Sequence, residues 1–91
     1  MYARRVTLDN PTGLHVRPAT AFMELANRYR CTIRVAKGDA VADGKSAISL
    51  MLLEAGRGTA LTIEGNGDDE TEAVDALVGL VERHFGDGEN R

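Results

Sequence analysis

The chain is 91 residues long, enough for one domain with a modest core and too short for a second lobe. Apolar residues make up 43% and charged residues 27%, the balance of a folded globular chain and not of a disordered one. A net charge of −3 argues against a nucleic-acid binder; the single Cys31 leaves no disulfide framework and no CxxC pair; and the longest apolar run, residues 50–53, cannot span a bilayer.

Residues 2–8 alternate, with Val6 and Leu8 on one face and Arg5 and Thr7 on the other, which predicts a strand with one buried face. The opening has no signal h-region, so a cytoplasmic location is expected. Asp9, Asn10, Pro11, Thr12 and Gly13 form a dense turn cluster. Over residues 17–29 the period changes, and Ala19, Phe22, Met23 and Ala26 make one stripe of an amphipathic helix. Cys31, Ile33 and Val35 predict a second strand, Lys37-Gly38-Asp39 a hairpin turn, and residues 40–42 a short third strand. After a break at Asp43-Gly44-Lys45, residues 46–53 read as a two-turn helix with Ser46 as N-cap, ended by Gly56 and Gly58. Leu61 and Ile63 mark a fourth strand, followed by a Gly65-Asn66-Gly67 loop. Asp69 with Glu72 reads as a capping-box variant before a last helix that runs to about Phe85 and buries Val74, Leu77, Leu80 and Val81. The polar tail, residues 86–91, is expected to fray. The order is β-α-β-β-α-β-α in a single domain, and the simplest packing lays the helices on one face of a four-stranded sheet, an α+β two-layer sandwich.

One stretch carries chemistry. His15, in "GLHVRP", lies where a Gly-containing loop meets a helix start. A helix N-terminus presents unpaired N–H groups and the positive end of a dipole, which together bind anions. Pro18 fits the first turn because N–H groups there have no intrahelical partner. Arg17 adds a planar guanidinium suited to phosphate oxygens. The combination fits histidine acting as a nucleophile on a phosphoryl group. No His/Cys/carboxylate cluster has metal-ligand spacing, so no metal or cofactor is expected from this chain. Gly44-Lys45-Ser46 looks like the end of a phosphate-binding Walker loop, but position 39, where that loop needs glycine, is Asp.

The segment "TGLHVRPA", residues 12–19, resembles the active-site segment of HPr, the histidine-containing phosphocarrier of the bacterial sugar phosphotransferase system, with Val16 in place of the usual Ala. The likeness runs from Tyr2 to about Phe85, and residues 43–77 resemble the family's second half. The resemblance implies an open-faced β-sandwich with a four-stranded antiparallel sheet. It implies that His15 takes phosphate from phospho-enzyme I and gives it to the A domain of a sugar permease or a regulatory equivalent, with Arg17 on the phosphoryl oxygens. It also implies that Thr20 belongs to the docking surface, and that Ser46 is a candidate substrate of an HPr kinase/phosphorylase as well as an N-cap. Such a carrier is not a stand-alone enzyme, needs no cofactor, and is expected as a monomer.

Ala47, Ile48 and Met51 are expected to be partly exposed beside His15, because a two-turn helix cannot bury all of itself, and a Met-containing patch suits several partners. Val16 is expected to alter partner fit more than phosphorylation. Glu24 and Asn27 stand where many members of the family carry basic residues, and Ser49 and Glu54 where small, glycine-like residues are common. These departures make a nitrogen-type regulatory paralogue the alternative reading. A small interaction module without covalent chemistry is a third, against which the pairing of His15 with Arg17 counts. His84, near the predicted end of the last helix, reads as structural.

Overall fold

Alternating apolar positions build four strands, β1 (Tyr2–Thr7), β2 (Thr32–Lys37), β3 (Ala40–Asp43) and β4 (Ala60–Asn66), in a computed structural model that describes residues 1–86. Between and after them lie α1 (Val16–Ala26), α2 (Ala47–Met51) and α3 (Glu70–Glu82), in the predicted β-α-β-β-α-β-α order. The sheet runs β1-β4-β2-β3 and every pairing is antiparallel. All three helices cover one face, giving the α+β open-faced sandwich. From residue 87 onward, the tail expected to fray lies outside the described residues.

The pleat puts successive residues on opposite faces, so Val6, Ile33, Val35, Ala42, Leu61 and Ile63 all point under the helices. Register keeps them together: Val6 sits opposite Leu61, and Val35 opposite Ile63. Against them α1 buries Pro18, Ala19, Phe22 and Ala26, while α3 buries Ala73, Val74, Leu77, Val78 and Val81. Burying a large apolar side chain contributes about 1.5–3 kcal/mol, so these stripes anchor both long helices. Met23 and Leu80, expected in the core, are only partly buried at its edge.

Several features differ from the sequence reading. Gly65 and Asn66 continue β4 instead of starting a loop, because Gly65 pairs with Tyr2 on one side and Ile33 on the other. Its missing side chain reflects close approach: a Cβ there would lie 2.9 Å from Val74 Cγ2 on α3. The capping box is also absent. The Asp69 carboxylate accepts from the backbone N–H groups of Arg30 and Cys31, both at 2.9 Å, and makes no side-chain cap. Glu70, not Glu72, reaches back to the N–H of Gly67 at 2.9 Å. Finally, α2 stops at Met51, and α3 stops at Glu82, with His84 and Phe85 in left-handed conformations at φ 53° and 56°.

These carboxylates titrate low. Asp69 is held below the ordinary carboxylate range first by the N–H of Arg30, Glu70 by that of Gly67, and Asp75 by the Tyr2 hydroxyl and then the Arg4 guanidinium. Their folded pKa values are depressed, so the unfolded chain binds more protons in acid. Their stabilisation is complete above the unfolded carboxylate values near pH 4 and is lost as pH falls through the lower folded values. Denaturant midpoints should therefore drop steeply below about pH 4, and Asp69→Asn should flatten that slope. An unchanged slope would remove Asp69 from this account.

Candidate functional site

The site begins with the loop between β1 and α1, and buried Asn10 organises that loop. Only 2% exposed, Asn10 donates through Nδ2 to the Gly13 carbonyl at 2.8 Å and to Thr12 Oγ1 at 3.3 Å. The backbone N–H of Leu14 donates to the Ala55 carbonyl at 2.9 Å, and the Leu14 side chain is buried. The segment before His15 is thus fastened on one side to its own turn and on the other to the chain leaving α2.

His15 follows as the N-cap of α1, in an extended conformation (φ −82°, ψ −170°), and makes no side-chain cap bond. Its backbone carbonyl takes the first helical bond, from Ala19 N–H at 2.9 Å, which leaves the exposed imidazole available for other work. Helix α1 therefore starts at Val16, one residue before the sequence reading, with Pro18 in the first turn as expected. His15 lines an open cavity of about 420 Å³ together with Thr12, Leu14, Met51, Glu54, Ala55 and Gly56. Arg17 is exposed on the first turn of α1, two residues from the imidazole in sequence. An exposed imidazole at the positive end of an eleven-residue helix, with a guanidinium on the same turn, can hold and exchange an anion.

Around this point lie apolar side chains. Val16 is 51% exposed, Ile48 70% and Leu52 76%, with Ala47, Met51 and Thr20 partly exposed. The expected exposure holds for Ala47, Ile48 and Met51, and of these Met51 shares the cavity lined by His15. Leu52, the C-cap of α2, is also exposed and extends the apolar surface.

Ser46 caps α2 as expected, its Oγ accepting from Ser49 N–H at 3.2 Å. The Ser49 hydroxyl in turn accepts from Asp43 N–H at 2.9 Å, so position 49 has work for a side chain and not merely space for a glycine. Asn27 is also used: its Nδ2 donates to Met23 O at 2.9 Å and Lys45 O at 3.2 Å, tying the end of α1 to the residue before Ser46. Lys45 Nζ returns the link, donating to Tyr29 O at 2.7 Å. Nothing in the sequence pattern announces these ties, since they join residues 16 to 18 positions apart.

Glu54 is the outlier of the site. It takes φ 54°, a left-handed backbone that favours glycine, while Lys37 Nζ donates to Leu53 O at 2.8 Å and Glu54 O at 3.3 Å. His84 lies two residues beyond the end of α3; its Nε2 is 3.5 Å from Asp9, which also meets Arg57 at 3.6 Å. The buried Cys31 thiol is pushed up by burial and by its hydrogen bond to Asp69. Among the described residues no three His, Cys, Asp or Glu side chains are grouped to hold a metal ion, and no helix is long and apolar enough to cross a membrane.

Comparison with known proteins gives a consistent picture. Residues 2–83 match the family model described as PTS HPr component phosphorylation site. The chain is 42% identical to the phosphocarrier protein HPr of Pseudomonas aeruginosa, over 98% of this chain and all of that one. It is 38% identical to the phosphocarrier protein NPr of Shewanella violacea, over 90% of each. Among solved structures it is similar to HPr from Thermoanaerobacter tengcongensis, at 37% identity and a TM-score of 0.91, covering 94% of this chain and 97% of that one. A dimer of HPr from the same organism aligns with a TM-score of 0.75 at 36% identity, over 93% of this chain and 98% of the other.

Proposed function

The chain belongs to the HPr family of phosphocarrier proteins of the phosphotransferase system, and on that premise we propose that His15 is the residue that carries the phosphoryl group. The observation that supports this reading is the exposed His15 imidazole at the N-terminus of α1, free of any cap bond. A nitrogen of the neutral ring attacks the phosphorus held by phospho-enzyme I. The donor N–P bond breaks as the new one forms, and the donor imidazole leaves with the electron pair. The helix N-terminus and the Arg17 guanidinium stabilise the phosphoryl oxygens through the exchange. In the second transfer a nucleophile on the acceptor attacks the same phosphorus, and His15 is the leaving group. The acceptor is the A domain of a sugar permease or a regulatory equivalent.

Val16, Thr20, Ala47, Ile48 and Met51 form the surface against which enzyme I and the A domains dock, with Leu52 at its edge. Ser46 is a second modification site, for an HPr kinase/phosphorylase, where added negative charge would weaken docking on the neighbouring Ile48. The carrier works in the cytoplasm as a single copy, with no cofactor, nucleic acid or membrane insertion. A regulatory, nitrogen-type role is the second reading; the likeness to an NPr protein favours it, as do acidic Glu24 on α1 and neutral Asn27 at its C-cap.

Incubation with phosphoenolpyruvate, enzyme I and Mg²⁺ should place an acid-labile, base-stable phosphate on the peptide containing His15. No label, or label on another peptide, would overturn the assignment. Discharge to a sugar-permease A domain, as against a nitrogen-branch one, separates the two readings.

A further inference from the structure

We propose that Glu54, which lines the same cavity as His15, tunes the carrier step: its negative charge loosens the hold of His15 on the phosphoryl group and favours passing it on. This rests on the carrier reading of His15 and adds a specificity-determining residue to that site.

Two independent observations meet at Glu54. The first is its backbone. A non-glycine residue at φ 54° is held in a sparsely populated conformation, which persists only where the surroundings over-determine it. Here they do: Lys37 Nζ grips the carbonyls of Leu53 and Glu54, and the next residue, Ala55, receives the Leu14 N–H. The second is position. Glu54 lines the same cavity of about 420 Å³ as His15, and Thr12 and Met51 are the other long or polar walls. Glu54 is exposed.

The chemistry follows from charge. Unmodified His15 brings an uncharged or singly positive ring, whereas phosphorylated His15 brings an oxyanion of about two negative charges. A carboxylate on a residue lining the same cavity repels the second form and not the first, through an interaction screened over about 10 Å at 0.1 M salt. The destabilised species is the phosphorylated carrier, so the equilibrium His15–P + acceptor ⇌ His15 + acceptor–P moves to the right. One N–P bond breaks, one acceptor–P bond forms, and no further reactant is needed. A partner placing a cation opposite Glu54 would be preferred over one placing a carboxylate there.

The test is the equilibrium distribution of phosphate between enzyme I and the full chain, comparing wild type with Glu54→Gln and Glu54→Gly. Both variants should shift phosphate toward His15 by about 3- to 10-fold at low ionic strength. The shift should shrink toward unity near 1 M salt, where the screening length is about 3 Å. Gln keeps the strained backbone and Gly relieves it, so equal shifts identify charge as the cause. A labelled wild-type chain with unshifted variants, or a shift that survives high salt, would overturn the role of Glu54 alone. A wild-type chain that takes no phosphate would overturn the carrier reading and this inference together.

Discussion

A His15→Ala chain should accept no measurable phosphate from enzyme I, a loss of at least about 10⁴-fold, the scale seen when a covalent nucleophile is removed. The imidazole makes no cap bond and its side chain is exposed, so the fold does not depend on it. Its backbone carbonyl, which holds Ala19, survives the substitution. The variant should therefore melt within about 0.5 kcal/mol of wild type, as exposed substitutions usually do. Arg17→Ala should show an intermediate result, with transfer slowed on the order of 10²–10³-fold, the usual effect of losing one charged stabiliser of a reacting anion. Labelling by rapid quench, with circular dichroism as the folding control, reads both. Phosphate persisting on folded His15→Ala would move the acceptor elsewhere in the chain.

Gly13→Ala should be the most damaging single change in the loop, costing about 2–5 kcal/mol from two separate sources. At φ 64° the backbone is left-handed, which costs a side-chain-bearing residue roughly 1–2 kcal/mol. The added Cβ would also run into the Ala55 carbonyl oxygen and lie 2.7 Å from Gly56 Cα, both backbone atoms that cannot swing aside. Relieving that contact means shifting the Leu14–Ala55 hydrogen bond that seats the start of α1. Gly38→Ala is the control. It has φ 58° but nothing within 4 Å of the new Cβ, so it keeps only the backbone cost. Urea denaturation should separate the two by at least about 1 kcal/mol. Equal costs would mean that the close approach to Ala55 and Gly56 is relieved without penalty.

What could be read in advance was local. The period-2 pattern of Val6 and Leu8, the 3.6-period stripe of Ala19, Phe22 and Ala26, and the serine before a short apolar run each state their own structure within a few residues. The histidine site belongs to this class, because its parts lie on one turn. What escaped depends on neighbours distant in sequence. Asp69 looks like a cap for the helix it precedes, yet its carboxylate is taken by Arg30 and Cys31, 39 and 38 positions away. Gly65 looks like a loop residue, but it is a strand residue thinned to admit α3. Asn10 sits in an evident turn, and nothing nearby signals that its amide is buried and fixes Gly13. Glu54 was visible as a departure from a small residue, although its left-handed backbone and its share in the wall beside His15 were not.

The central position of β4 bears on how the molecule can be made. Strand β1, made before the other three strands, has one neighbour only, and that neighbour is β4. While β2, the hairpin to β3 and the first two helices emerge, β1 has no ladder to join, and Val6 and Leu8 have no sheet beneath which to hide. Pairing Val6 with Leu61 closes a loop of most of the chain, a long-range contact of the kind that slows folding. A nascent chain halted before Ala60 therefore displays an unpaired apolar strand, the form most exposed to association with another such chain.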